Sequence, residues 1–491
     1  MLRRFAPRND TTSVVLLILV TTALRLAFGA TLGLGVDESY MVASGRVLSL
    51  GYYDHPPAAW WLSWAAAHLL GSEAPIAVRL PFIALFALST WLMYRLGAAV
   101  ADERAGLWAA VLLNMSPVFG ITTGSWVLPD GPLDCALLGA ALCFIRALDR
   151  RALGWWLGAG AWAGLALLSK YSALLTLAGA GLYLLSNRQH RHWLTTPKPW
   201  LALLMALLIF APVLAWNAVH GWVSFAFQAG RAAGMHLRPI APLETLAGEA
   251  LFVLPWIWLP MMAVLVVAVR RGRHEWRSWL LCCLAAPAIV FFAAVSAWSS
   301  QRVLLHWAAP GYLMLFPLLG AAIARRINLL ALRLLLAGTA VLAVLGMAVV
   351  ATQVRFDWLH SVIAAVARRD PDVEAVDWTS LRDLVPPGSI VGVLDWRDAG
   401  KIAYALGPDV TVLCLSRDAR QFGLVQPAAR FVGADILILA PEHGERVADE
   451  LAGAFDSIEK LSEATIRHAG RSLARVTVFE ARGLRGWPPP S

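Results

Sequence analysis

The sequence predicts a polytopic α-helical membrane protein of about eleven spans, followed by a small extracytoplasmic α/β domain. Three observations predict it. Of 491 residues, 59% are hydrophobic and 15% charged, whereas a soluble domain carries roughly a quarter charged residues. Mean hydropathy is +0.63. Apolar runs of about 20 residues recur, each long enough to cross a hydrocarbon layer of roughly 30 Å as a helix. Beyond about Thr352 charges become frequent and apolar runs shorten, which is the pattern of buried strands.

Taken in order, the spans are expected at about 13–33, 76–97, 105–122, 132–148, 154–169, 172–187, 200–218, 248–269, 278–297, 303–323 and 329–351, with ends good to roughly 2–4 residues. Arg3, Arg4 and Arg8 ahead of a Leu/Val run resemble a signal peptide. The apolar stretch to Leu34 is longer than a signal h-region, so it is read as an uncleaved first span. The domain division that follows is 1–352 for the membrane module and 353–491 for the α/β domain. The segment 34–75 is a long outer loop in the first of these.

In the second part, four runs read as strands: Ser389–Leu394, Val410–Leu415, Asp435–Leu439 and Arg475–Phe479. Trp396–Leu406 and Glu442–Ala454 read as helices between them. The tail from Gly486 to Pro490 carries no such pattern. Four cysteines fall inside expected spans and Cys414 stands alone in the α/β part, so neither a disulfide framework nor a zinc spacing is present.

The net charge of +9 sits in short loops between apolar runs. It reads as a topology signal, with no nucleic-acid partner implied. With the N-terminus in the cytoplasm, every inner segment is rich in arginine, from Arg146–Arg151 through Arg188–Lys198 and Arg270–Arg277 to Arg325-Arg326. The outer segments then hold most of the acids. They also hold nearly every unusual polar residue: Asp37, Glu38, Asp54, His55, Asp130, Asp134, Lys170, His220, Arg231, His236, Arg302 and His306. The expected location is the plasma membrane, with the α/β domain on the outer side.

Chemistry is expected at Gly35-Val36-Asp37-Glu38-Ser39-Tyr40, just past the first span. A carboxylate there can take a proton from a hydroxyl or hold a divalent cation. The other reading of the pair is a solvated turn. Asp54-His55-Pro56-Pro57 joins an acid and an imidazole to a stiff backbone. Asp130 stands where a helix N-cap would. Lys170, Arg302 and His306 lie at span ends, where cations attract a phosphate in the headgroup plane. Each alone is also a common interfacial anchor. Arg25, inside the first span, is either paired or snorkelling to the interface.

A first span followed by Asp37-Glu38, then Tyr53-Asp54-His55-Pro56-Pro57, Leu128-Pro129-Asp130, Leu168-Ser169-Lys170-Tyr171 and His306-Trp307, resembles the membrane glycosyltransferases of GT-C fold. It is most similar to bacterial members of glycosyltransferase families 39 and 83, which include protein O-mannosyltransferases and the lipid A aminoarabinose transferase. The resemblance covers about residues 10–325.

It implies transfer of a sugar from a polyprenyl-phosphate-linked donor to a hydroxyl of a glycan, lipid or protein acceptor, on the outer side of the membrane. Asp37 would then be the catalytic base or electrostatic centre, supported by Glu38, with Asp130 at the family's Pro-Asp position. Lys170 and Arg302 would hold the lipid phosphate with His306 beside it. Asp54 and His55 would bind substrate, His55 standing where the aminoarabinose enzymes carry lysine. The resemblance leaves a divalent cation open. A transporter or flippase of lipid-linked saccharides would instead show paired repeats and charged or broken helices at the midplane. A scaffold with an outer binding domain would leave the acidic stretch without a role.

Overall fold

The computed structural model describes residues 10–234, 237–326, 330–367, 370–442 and 444–488. The N-terminal arginines, His236 and the last three residues lie outside it. The described chain is mostly helical and ends in a small mixed sheet. Among the described residues seven helices are long and apolar enough to cross a membrane, from Asp10–Thr31 to Leu330–Phe356. Shorter apolar helices run over Leu153–Ser169, Ala173–Ser186 and Ala309–Ala324.

The expected eleven spans are therefore not reproduced one for one. The run at 248–269 breaks into Ala241–Val253 and Pro255–Arg271. Pro255 has no N–H to continue the first helix, and Leu254 before it takes φ +87°. The run at 105–122 divides into Glu103–Met115 and a π-helical turn, Val118–Thr123, at Pro117.

Compact packing divides the chain into two units. One holds Met1–Leu26, His55–Ala58 and Leu80–Leu345; the other holds Ala27–Asp54, Ala59–Arg79 and Gly346–Ser491. The expected division has one boundary at 352, whereas here most of the segment 34–75 packs with the C-terminal residues.

The first unit is a helical bundle with a continuous apolar core. Gly160 lets the helix Leu153–Ser169 meet the backbone of Pro197–Val219 at Ala202, where a Cβ would collide. Arg25 is buried and satisfied inside this unit. It donates to the Gly120 carbonyl and the Asn114 side chain, both at 3.0 Å, and lies over the Phe86 ring. That is the paired reading, not snorkelling.

The second unit carries five strands: β1 Ile390–Val393, β2 Thr411–Cys414, β3 Ile436–Pro441, β4 Phe455–His468 and β5 Arg471–Leu484. Their order is β2-β1-β3-β5-β4. The first three are parallel and β5 and β4 add antiparallel. Trp396–Leu406 forms as expected, with Asp395 capping it through the Arg397 N–H. The expected helix 442–454 shrinks to the short turns Gly444–Arg446 and Val447–Glu450.

The helix Val36–Ser44 lies against Trp396–Leu406 at Gly400, where a Cβ would sit 2.8 Å from the Tyr40 backbone. Gly400→Val is expected to cost about 1–3 kcal/mol by overpacking, read as a lowered thermal midpoint of the purified protein.

Candidate functional site

The acidic stretch is a helix, not the solvated loop that its composition also allowed. Gly35 is extended (φ −64°, ψ 174°), and the helix runs from Val36 to Ser44. The Glu38 carboxylate accepts the Gly35 N–H at 2.9 Å. This is the returning half of a capping box, and it fixes where the first turn begins. Successive helical residues are turned by about 100°, so the two acids meet different surroundings.

Glu38 is buried against Arg79, whose fork donates to both carboxylate oxygens at 2.8 and 2.5 Å. The same guanidinium donates to the carbonyls of Gly29, Leu32 and Gly33 at 2.7–2.8 Å. Glu38 thus holds the chain entering the helix, and Asp37 is the exposed member of the pair. Sequence reasoning missed Arg79. A guanidinium one turn into an apolar run was its signal.

Three further attachments hold the helix to the C-terminal residues. Gly33 N–H donates to the Ala375 carbonyl at 2.8 Å, and Leu34 N–H reaches Asp377. Buried Lys401 donates to the carbonyls of Leu34, Val376 and Glu374 at 2.7, 2.7 and 3.1 Å.

Burial pushes the Lys401 ammonium down to about 8 from 10.5, against the pull of neighbouring carboxylates. Above pH 8 the folded protein has released a proton that the unfolded chain keeps to about pH 10.5, so rising pH through that window favours folding. Lys401→Met is expected to flatten that rise in a thermal-midpoint series from pH 7 to 10.

Asp54 is buried in the same unit. It accepts from Tyr40 Oη and from Arg420 Nη1, each at 3.2 Å. Burial lifts its pKa above the usual carboxylate range against the pull of Arg420. The Asp37 charge adds to the lift, so the two acids lie within electrostatic reach. Arg420 also stacks over Trp396 at 3.5 Å. Tyr40 accepts the Gln421 N–H, while the Gln421 side chain accepts the Tyr53 N–H. Arg420 lies in the C-terminal part, where the family resemblance ends, and carries no motif that would have marked it.

The first unit holds a second cluster. Asp130 begins the helix Asp130–Arg150 and does not cap it. Instead both its carboxylate oxygens take the Lys170 ammonium, at 2.8 and 3.0 Å. Lys170 ends the helix Leu153–Ser169 in an extended conformation, which aims it at the neighbouring helix start.

His306 and His55 lie within electrostatic reach of Asp130. Arg231 covers the Trp307 and Phe227 rings at 5.0 Å and acts on His306. Asp134 lies buried one turn below Asp130, bonded to Thr123. Arg302 is exposed, four residues before His306. The structure thus brings Asp130, Lys170, His306 and His55 together in one unit, and Asp37, Glu38 and Asp54 in the other. Among the described residues no group of three or more His, Cys, Asp or Glu side chains is gathered as a metal site.

Comparison with known proteins agrees with this architecture. Residues 54–216 match the family described as dolichyl-phosphate-mannose-protein mannosyltransferase. The lipid A galacturonosyltransferase RgtD of Rhizobium johnstonii is 28% identical over 306 residues, which are 61% of this chain and 62% of that protein. The match therefore spans less than two thirds of that relative.

ArnT from Cupriavidus metallidurans, solved with undecaprenyl phosphate, superposes with a TM-score of 0.64 over 96% of this chain and 98% of its own, at 16% identity. The oligosaccharyltransferase AglB from Archaeoglobus fulgidus, solved with an inhibitory peptide and a dolichol-phosphate, gives a TM-score of 0.52 over 87% of this chain and 69% of its own, at 12% identity. The fold is the GT-C type, a multi-span helical membrane module with a small C-terminal sheet domain.

Proposed function

We propose that the protein is a glycosyltransferase that moves a sugar from a polyprenyl-phosphate donor to an acceptor hydroxyl at the outer face of the bacterial inner membrane. The observation that carries the reading is the division of labour in the acidic helix. Glu38 is consumed by the Arg79 fork, and this leaves Asp37 exposed on a rigid first turn.

In the reaction, Asp37 accepts the proton of the acceptor hydroxyl as its oxygen bonds to the anomeric carbon. The bond from that carbon to the phosphate oxygen breaks, and the electron pair leaves with the lipid phosphate. Cations must neutralise the charge that develops there. Lys170, oriented by Asp130, and the exposed Arg302 are assigned that work, with His306 and His55 flanking the phosphate. Asp54 is a positioning residue that fixes Tyr40 and Arg420 around the helix.

The positive-inside charge pattern supports the outer location. The name of the Rhizobium relative favours a glycolipid acceptor of lipid A type and a uronic acid as the sugar transferred.

The test compares envelope glycolipids of cells with and without the protein by mass spectrometry, then incubates purified protein with a polyprenyl-phosphate sugar and the unmodified glycolipid. A mass difference of one sugar residue, reproduced in vitro, is expected. Identical glycolipid, polysaccharide and protein glycan profiles in both strains would remove the proposal.

A further inference from the structure

The C-terminal sheet has a built crevice. The chain leaves β1 for β2 on one side and returns to lay β3 on the other. The connections at the carboxyl ends of β1 and β3 therefore diverge, and this is where open α/β sheets receive ligands. A cavity of about 470 Å³ occupies that position, within the size range of small-molecule sites. Asp395 and Asp398 line it just after β1, Ser416 just after β2, and Glu442 just after β3. Val36 forms another part of its wall, one residue from Asp37.

The lining chooses the chemistry. Five acids face three cations, Arg397, Lys401 and Arg446. The start of the helix Trp396–Leu406 is already occupied by Asp395, which accepts the Arg397 N–H at 2.7 Å. A phosphate or uronate would meet an excess of negative charge and a filled helix terminus. Carboxylates interleaved with guanidinium groups instead offer acceptors and donors to a hydroxyl-rich ring, and the surplus acid suits an ammonium. Glu442 holds φ +57° there. A residue with a side chain sustains such a conformation at a cost.

We propose that this crevice is a saccharide-binding site for the neutral or amino-sugar glycan of the acceptor, which it delivers to Asp37. The delivery step rests on the transferase reading; the binding step does not.

The test uses full-length protein in nanodiscs with no donor present. Saturation-transfer NMR is run with glucosamine, methyl glucoside, galacturonate and inorganic phosphate as probes. Glucosamine and methyl glucoside are expected to bind, glucosamine the more tightly, with galacturonate and phosphate excluded. Asp398→Asn with Glu450→Gln removes two charges without changing size, and is expected to weaken glucosamine binding by roughly tenfold, the thermal midpoint being read alongside to separate lost binding from lost fold. In transfer assays the same variant raises KM for the acceptor and spares kcat.

Absence of saturation transfer from either sugar, preference for galacturonate or phosphate, or sugar binding unaltered by the double substitution would overturn the site. None of those results bears on whether transfer occurs. Loss of transfer with sugar binding intact would count against the transferase reading alone.

Discussion

Asp37→Asn is expected to leave a protein that inserts and folds like the parent but transfers sugar about 10²–10⁴ times more slowly. The substitution keeps the side chain's size and removes only its capacity to take a proton and to carry charge. The helix it sits on has anchors other than Asp37. Its entry is fixed by the Glu38–Gly35 bond, the Glu38–Arg79 pair and the Lys401 bond to the Leu34 carbonyl, and its body packs at Gly400. Losing a carboxylate from an exposed first turn costs only about 0.3–1 kcal/mol of helix stability. Activity and thermal midpoint should therefore separate. A kcat/KM within a factor of about three of the parent would show that Asp37 does not touch the reacting atoms.

Arg79→Met is expected to do the opposite, damaging the fold first and activity as a consequence. It leaves the buried Glu38 carboxylate without its cation and strips donors from the carbonyls of Gly29, Leu32 and Gly33. Removing one partner of a buried ion pair costs about 3–5 kcal/mol, a large share of the roughly 5–15 kcal/mol that holds a domain together. Low yield in membranes, a depressed thermal midpoint and proteolysis near residues 29–46 are the expected readouts. Glu38→Gln combined with Arg79→Met removes the stranded charge and should recover part of the loss. An Arg79→Met protein as stable as the parent would mean that the fork is not what holds the acidic helix.

The contrast between these two acids shows where sequence reasoning stopped. Adjacent carboxylates past a span were visible as a centre. Which one faces outward depends on a helical phase and on Arg79, 41 residues away, and no local pattern reports that. The Asp130–Lys170 pair was legible as two polar residues on one side of the membrane. Their bond was not, because it joins the start of one helix to the end of another, 40 residues on.

Strands β1, β2 and β3 announced themselves as short buried apolar runs. β4, Phe455–His468, did not, because most of its side chains are exposed and its residues read as a charged surface. Arg420 and Gln421 were invisible for a further reason. Their partners Asp54, Tyr40 and Tyr53 lie more than 360 residues earlier in the chain.

That separation constrains biosynthesis. The Leu34 carbonyl waits for a lysine 367 residues downstream, and ribosomes add about 5–20 residues per second. For roughly 20 to 70 s per polypeptide, the nascent acidic helix exists without its C-terminal support. A premature stop codon late in the gene would consequently deliver an inserted helical bundle whose earliest extramembrane segment never matures, and quality-control proteases should clear it from its N-terminal third.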